Sequence, residues 1–230
     1  MEDASDLDRT DGALQIHDRR VWGVWKEFCE DQANAVSLLA RLELRGVDVG
    51  SRWADLATYL KPRTGEHLSA FHDLHYLYGL GRAGDRSAVT EMLASLEDRA
   101  ERARPFERET WADCAVPLAH GLAAHAMGDH ADAARLIGQA MPHLRTIGGS
   151  IAQRALFGAI HLDALTRSGW NDKALAILQS EERERPTVAA TKRALAEVYR
   201  RLGRTEQALA AEYQAEQLAR RYRATGEEAA

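Results

Sequence analysis

Apolar residues recur at helical spacing along almost the whole chain. Ala35, Leu38, Leu39 and Leu42 form one such stripe, and Val89, Met92, Leu93 and Leu96 another. Residues three and four apart share a helix face, so each stripe predicts a helix with one packed side. Glycines and prolines punctuate the pattern. The breaks predict helices over residues 12–28, 31–45, 51–60, 66–81, 85–103, 107–127, 129–147, 150–168, 171–185, 188–202 and 205–222. Gly46 stops the second helix, Ser51 is placed to cap the third, Pro62 ends it, and Pro117 kinks or delays the helix of 107–127. No alternating β-branched run interrupts them, so the expected fold class is all-α. Residues 1–11 and 224–230 read as disordered polar tails, and 12–223 as a single helical domain.

The helices pair, and the pairs repeat. Gly128, Gly169 and Gly203 each stand five residues before an alanine, namely Ala133, Ala174 and Ala208. In the tetratricopeptide pattern the glycine closes a turn and the alanine lets two helices approach closely. Gly169 and Gly203 are 34 residues apart, that pattern's period, and Tyr199 supplies its aromatic four residues before the turn. The earlier spacing is longer, so the array is irregular. The expected architecture is a right-handed superhelix of antiparallel helix pairs, a TPR-like α-solenoid, with a concave face.

Chemistry concentrates in the helix of 66–81, EHLSAFHDLHYLYGLG. At about 100° per residue, Ala70, Phe71, Leu74, Leu77 and Tyr78 fall on one side, and His72, His75, Tyr76 and Gly79 on the other. The first side is expected in the core and the second in a cleft. His72, Asp73, His75 and Tyr76 are the candidate ligand-binding residues there. His72 and His75 become the catalytic candidates if the protein is an enzyme. Their i, i+3 spacing is a poor metal signature without a third ligand, so no metal and no cofactor is expected.

A second candidate is IGGSIAQR, residues 147–154. Ser150 followed by Gln153 makes a capping box. The helix start with Arg154 one turn in could also hold a carboxylate or phosphate, and Arg154, Gly158 and His161 share a face.

Composition narrows the function. Hydrophobic content of 45% with 28% charged residues fits a soluble globular chain. The net charge of −5 without an extended basic patch excludes a nucleic-acid footprint. No apolar stretch is long enough to span a membrane, and the acidic start is not expected to act as a signal peptide. Cys29 and Cys114 fit neither a disulfide framework nor a zinc spacing, which points to a reducing cytoplasm. Arginine far outnumbers lysine and alanine is abundant, as in a GC-rich bacterial genome.

Three stretches, RLELRGVDVGSRW (Arg41–Trp53), FHDLH (Phe71–His75) and IGGSIAQR (Ile147–Arg154), resemble successive motifs of the tetratricopeptide repeat protein 38 family. The resemblance covers residues 12–185 and only the C-terminal half of that family's longer members. It departs at Ile151, where the family has a polar residue, and at Ala155, where it has an acidic one. The resemblance implies the helical-repeat fold and places the chain's start inside a repeat. Leu14, Val21, Trp22 and Trp25 are then expected to form an apolar interface, most simply a two-fold homodimer. The expected function is a binding or scaffold module that holds a peptide or a small anionic ligand. The alternatives are an enzyme of small-molecule metabolism with a His- and Arg-lined cleft, and a structural subunit of a larger complex.

Overall fold

The computed structural model describes residues 12–227, with side chains described through residue 221. Among the described residues the structure is all-helical and contains no strand. Ten α-helices follow one another: α1 (Cys29–Glu43), α2 (Arg52–Leu60), α3 (Ala70–Arg82), α4 (Arg86–Glu101), α5 (Val116–Ala126), α6 (His130–Ala140), α7 (Ile151–Arg167), α8 (Asn171–Glu184), α9 (Ala189–Arg201) and α10 (Thr205–Glu227). The acidic segment 1–11 and residues 228–230 lie outside the described residues. The last turn of α10 overlaps residues 224–227, the start of the expected tail.

Glycine sets the alternation. α1, α3, α5, α7 and α9 each end on a glycine with positive φ: Gly46 at 82°, Gly84 at 79°, Gly128 at 86°, Gly169 at 79° and Gly203 at 71°. Each turn carries the same two backbone bonds. Gly203 N donates to the Arg200 carbonyl at 3.0 Å, and Arg204 N to the Tyr199 carbonyl at 2.9 Å. The pattern satisfies carbonyls that a helix end would otherwise leave open. At two of these turns the next helix starts under an aspartate cap, with Asp85 accepting from Ala88 N and Asp129 from Asp132 N. Ser51, placed to cap α2, makes no such bond.

The chain divides into two compact units, one ending at Ala164 and one beginning at Leu165. In the first, α3 is the central element. It packs against α1, α2, α4, α5 and the segment Glu109–Ala115. That position explains its sequence, because a helix buried on every side must be apolar or internally satisfied all round. Ala70, Phe71, Leu74, Tyr76, Leu77, Tyr78 and Leu80 are all buried. In the second unit, α9 packs against α8 and α10 through Leu175, Leu178, Leu195, Val198, Ala208 and Ala211.

The helices depart from the sequence expectation most clearly at three places, the simplest being 129–147, which is α-helical to Ala140 and continues as a 3-10 segment, Met141–Ile147. The helix of 107–127 opens as a π-helical segment, Glu109–Ala115, before α5. Pro117 lies in the first turn of α5, and the wider π turn ahead of it absorbs the bond that proline cannot donate. The helix of 12–28 stops early. Residues 12–16 are α-helical, His17–Val21 form a π turn, and Trp22 N closes it on the His17 carbonyl at 2.8 Å.

The chain then strips back along α2. Arg52 grips Asp18 with two bonds of 2.7 Å, and Trp22 Nε1 donates to Asp55 Oδ2 at 2.6 Å. Trp22, expected on an open face, is therefore buried, with 4% of its surface exposed. Leu14 and Val21 are half-buried. Of the four expected interface residues, only Trp25 is open, at 58%, and it stacks on Phe28.

Candidate functional site

The α3 rings are not arranged as a core side and a cleft side. His75 and Tyr76 were both expected at a cleft, and both are buried, because α3 has neighbours on every side. Gly79 leaves no room beside them either. A Cβ there would lie 2.5 Å from Leu60 Cδ1 and 3.0 Å from Val36 Cγ2. Instead, His72, Asp73, His75 and Tyr78 each meet a partner of their own. His75 Nδ1 donates to the Phe71 carbonyl at 2.7 Å, and its ring lies between Phe71 and Phe157. A carbonyl can only accept, so Nδ1 carries the proton and the neutral ring keeps its lone pair on Nε2. That Nε2 is buried and has no hydrogen-bond partner among the described residues. Burial, reinforced by His72 and Arg41, lowers the His75 pKa to about 4, so the ring is neutral at pH 7. Burial also pushes the Tyr76 phenol up.

Asp73 is tied to His67, and the tie extends to Ser95. His67 Nδ1 lies 2.9 Å from Asp73 Oδ2, and His67 Nε2 lies 2.7 Å from Ser95 Oγ. Burial raises the Asp73 pKa, and His67 pulls it back. This hydroxyl–imidazole–carboxylate order is that of an acyl-transfer triad. The sequence concealed it, since the three residues come from a loop, α3 and α4 with no motif spacing between them. Its chemistry is limited by position. Ser95 sits in the middle of α4, where its backbone N–H belongs to the helix ladder and cannot serve as an oxyanion donor.

The start of α7 is built as expected and then elaborated. Ser150 N donates to Gln153 Oε1 at 2.8 Å and Gln153 N to Ser150 Oγ at 3.2 Å, a complete capping box. Arg154 turns back onto the same loop and donates to the carbonyls of Gly148 (3.0 Å) and Gly149. Arg41 arrives from α1 and donates to the Ala152 carbonyl at 2.8 Å and to Ser37 Oγ at 3.3 Å. Its burial, with Arg45 as a smaller influence, lowers its pKa. Phe71 closes the group from α3. Gly149, at φ 70°, faces the Phe71 ring so closely that a Cβ would stand 2.8 Å from it. Arg41, Phe71 and Gly148–Arg154, far apart in sequence, thus meet. His161 belongs elsewhere: its Nε2 bonds the Ala134 carbonyl at 3.0 Å and its ring covers Gly138.

His72, Asp73 and Tyr76 do share a site, a cavity of about 180 Å³ also lined by Cys29, Glu66, Leu68 and Ser69. His72 is fixed there from both ends, by Ser69 Oγ at 3.2 Å on Nδ1 and by Glu30 Oε2 at 2.6 Å on Nε2. Donor atoms of Cys29, Glu30 and His72 lie within 4.8 Å of one another. A second donor group, His125, His130 and Asp163, has the same spread. Both ring nitrogens of His125 are already engaged in it, by Tyr78 OH at 3.2 Å and Asp163 Oδ2 at 2.9 Å.

No helix of the described residues is long and apolar enough to cross a membrane. No family model matches the chain, and no solved structure matches it either.

Proposed function

We propose that the chain is a non-enzymatic binding or scaffold module of the tetratricopeptide repeat protein 38 type, a TPR-like right-handed superhelix of helix pairs. Support for the repeat reading comes from the five identical turns at Gly46, Gly84, Gly128, Gly169 and Gly203. Unpaired thiols at Cys29 and Cys114 fit a reducing cytoplasm.

The ligand is a small anion or a peptide carboxylate, held at the start of α7. One observation carries this reading: among the described residues Arg41 donates to the Ala152 carbonyl and Ser37 Oγ, and Arg154 to the Gly148 and Gly149 carbonyls, all neutral oxygens. A half-buried guanidinium without a carboxylate partner is poorly compensated, and an incoming anion supplies the missing charge. The N-terminus of α7 adds its own positive end. Ser150 and the largely exposed Ile151 border the same spot. The enclosure of His75 between two phenyl rings weighs against the enzyme alternative with His72 and His75 as catalytic residues.

Calorimetric titration with phosphate and with a short peptide bearing a free C-terminal carboxylate tests this at low ionic strength. Binding is expected to weaken about tenfold or more in Arg154→Ala and in Arg41→Ala, and to fade with salt. Equal affinity in wild type and both variants would overturn it. Self-association belongs to the same proposal and runs through the exposed Val24, Trp25 and Phe28.

A further inference from the structure

We propose that Cys29, Glu30 and His72 form a binding site for a zinc-like divalent metal ion. The three residues supply one sulfur, one oxygen and one nitrogen, and these donor atoms all lie within 4.8 Å of one another. In a tetrahedral zinc site the donors sit about 2.0–2.3 Å from the metal, hence about 3–4 Å apart. Only small movements separate the present arrangement from that geometry. The His72–Glu30 bond of 2.6 Å opens slightly, the Nε2 proton passes through solvent to Nδ1, which then donates to Ser69 Oγ, and the metal takes the lone pair freed on Nε2.

Two further features point the same way. His72 is oriented through its other nitrogen, Nδ1, which lies 3.2 Å from Ser69 Oγ, the outer support that metal-binding imidazoles use. Cys29 and His72 line the cavity of about 180 Å³, so a fourth position has room for water or for a donor brought by a ligand. Thiolate with imidazole selects borderline ions such as Zn²⁺ or Co²⁺ over Mg²⁺ or Ca²⁺. On binding, the Cys29 S–H bond breaks, the sulfur–metal bond forms, and the proton leaves to solvent, so affinity rises with pH. The His125, His130 and Asp163 group is the weaker candidate for such an ion, because it offers no thiolate and His125 is buried with one ring nitrogen on Tyr78 OH. The proposal does not depend on the anion reading, since it uses neither Arg41 nor Arg154.

The test uses the full chain, free of any affinity tag and stripped with chelator. Titration with Co²⁺ is expected to give a near-ultraviolet sulfur-to-cobalt band that saturates at one equivalent and is displaced by Zn²⁺. Cys29→Ser should lose the band, and His72→Ala should weaken binding about tenfold or more. A readout without substitutions is alkylation of Cys29 by iodoacetamide, which Zn²⁺ should slow about tenfold or more; buried Cys114 serves as the internal control. The absence of a saturable band, a band retained in Cys29→Ser, or an alkylation rate unchanged by Zn²⁺ would each overturn the site.

Discussion

His67 reaches Asp73 across six residues of chain, its Nδ1 2.9 Å from a carboxylate oxygen that is almost fully buried. The backbone is bent to allow it, since His67 has a φ of 46°, a left-handed conformation that bulky residues rarely adopt. A buried carboxylate is costly unless paired, and His67 is that pair. Removing the carboxylate leaves a largely buried imidazole facing a void. Asp73→Ala is therefore expected to lower unfolding free energy by about 3 kcal/mol in urea titrations. A loss below about 1 kcal/mol would mean that the tie is ornamental.

The same tie places Ser95 on His67 Nε2, in the order of a hydrolase triad. Because the Ser95 N–H is held in the α4 ladder, it cannot serve as an oxyanion donor beside the hydroxyl. A fluorophosphonate probe is thus expected to leave Ser95 unmodified. Labelling that disappears in both Ser95→Ala and His67→Ala would show that the triad is reactive after all.

The pH response follows from His75. Its folded pKa of about 4 lies below the ordinary value of 6.5. The folded state thus favours the neutral ring, and that contribution is fully present above pH 6.5. It is lost as pH falls from 6.5 toward 4, because the unfolded chain takes up the proton first. That interval is worth about 3 kcal/mol at most. Buried His17, whose pKa is also lowered by burial, acts in the same direction. Urea midpoints at pH 7.5 and pH 5 should differ strongly in wild type and clearly less in His75→Phe. Equal differences in the two proteins would remove His75 as the cause.

Local signals were legible in the sequence, and three-dimensional surroundings were not. The all-helical class, the turn glycines and the Ser150–Gln153 cap follow from spacing and capping rules that act within a few residues. The α3 reading failed at His75 and Tyr76, because face assignment presumes one fully open side, and α3 is packed against α1, α2, α4, α5 and Glu109–Ala115, with His72 half-buried at the cavity. His75 and Tyr76 look polar in sequence and are core in the fold, where burial holds the ring and the phenol uncharged. The partners of His72 and Asp73, namely Glu30 and His67, carry no periodic signal, so no reading of spacing could have found them. Trp22 misled for the opposite reason. Its apolar bulk suggested an interface, and Asp55 from α2 supplied an acceptor 33 residues away.

Trp22 and Trp25 separate folding from association. Trp22 donates to Asp55, packs edge-on against Tyr59 and is buried. Trp22→Ala is expected to cost about 3 kcal/mol or more. Trp25 is mostly exposed, so Trp25→Glu should change stability by no more than about 0.5 kcal/mol. Light scattering then reads association alone. A dimer that becomes monomer in Trp25→Glu supports the exposed patch as the contact, and an unchanged mass refutes it.

The turn glycines give the last expectation. Gly203 closes α9 with φ at 71°, and a Cβ added there would meet no atom within 4 Å. Any cost of substitution at Gly203 therefore comes from backbone conformation and not from crowding. The left-handed region costs a non-glycine residue about 1–2 kcal/mol, with β-branched residues at the upper end. Gly203→Val should lower stability by about 2 kcal/mol, seen in urea unfolding followed by circular dichroism. Gly203→Asn tolerates the same φ and should recover most of that loss. The pair separates the two explanations, since asparagine and valine are similar in size. Equal losses in both variants would place the cost in packing, and the αL turn would no longer account for the way α9 hands over to α10.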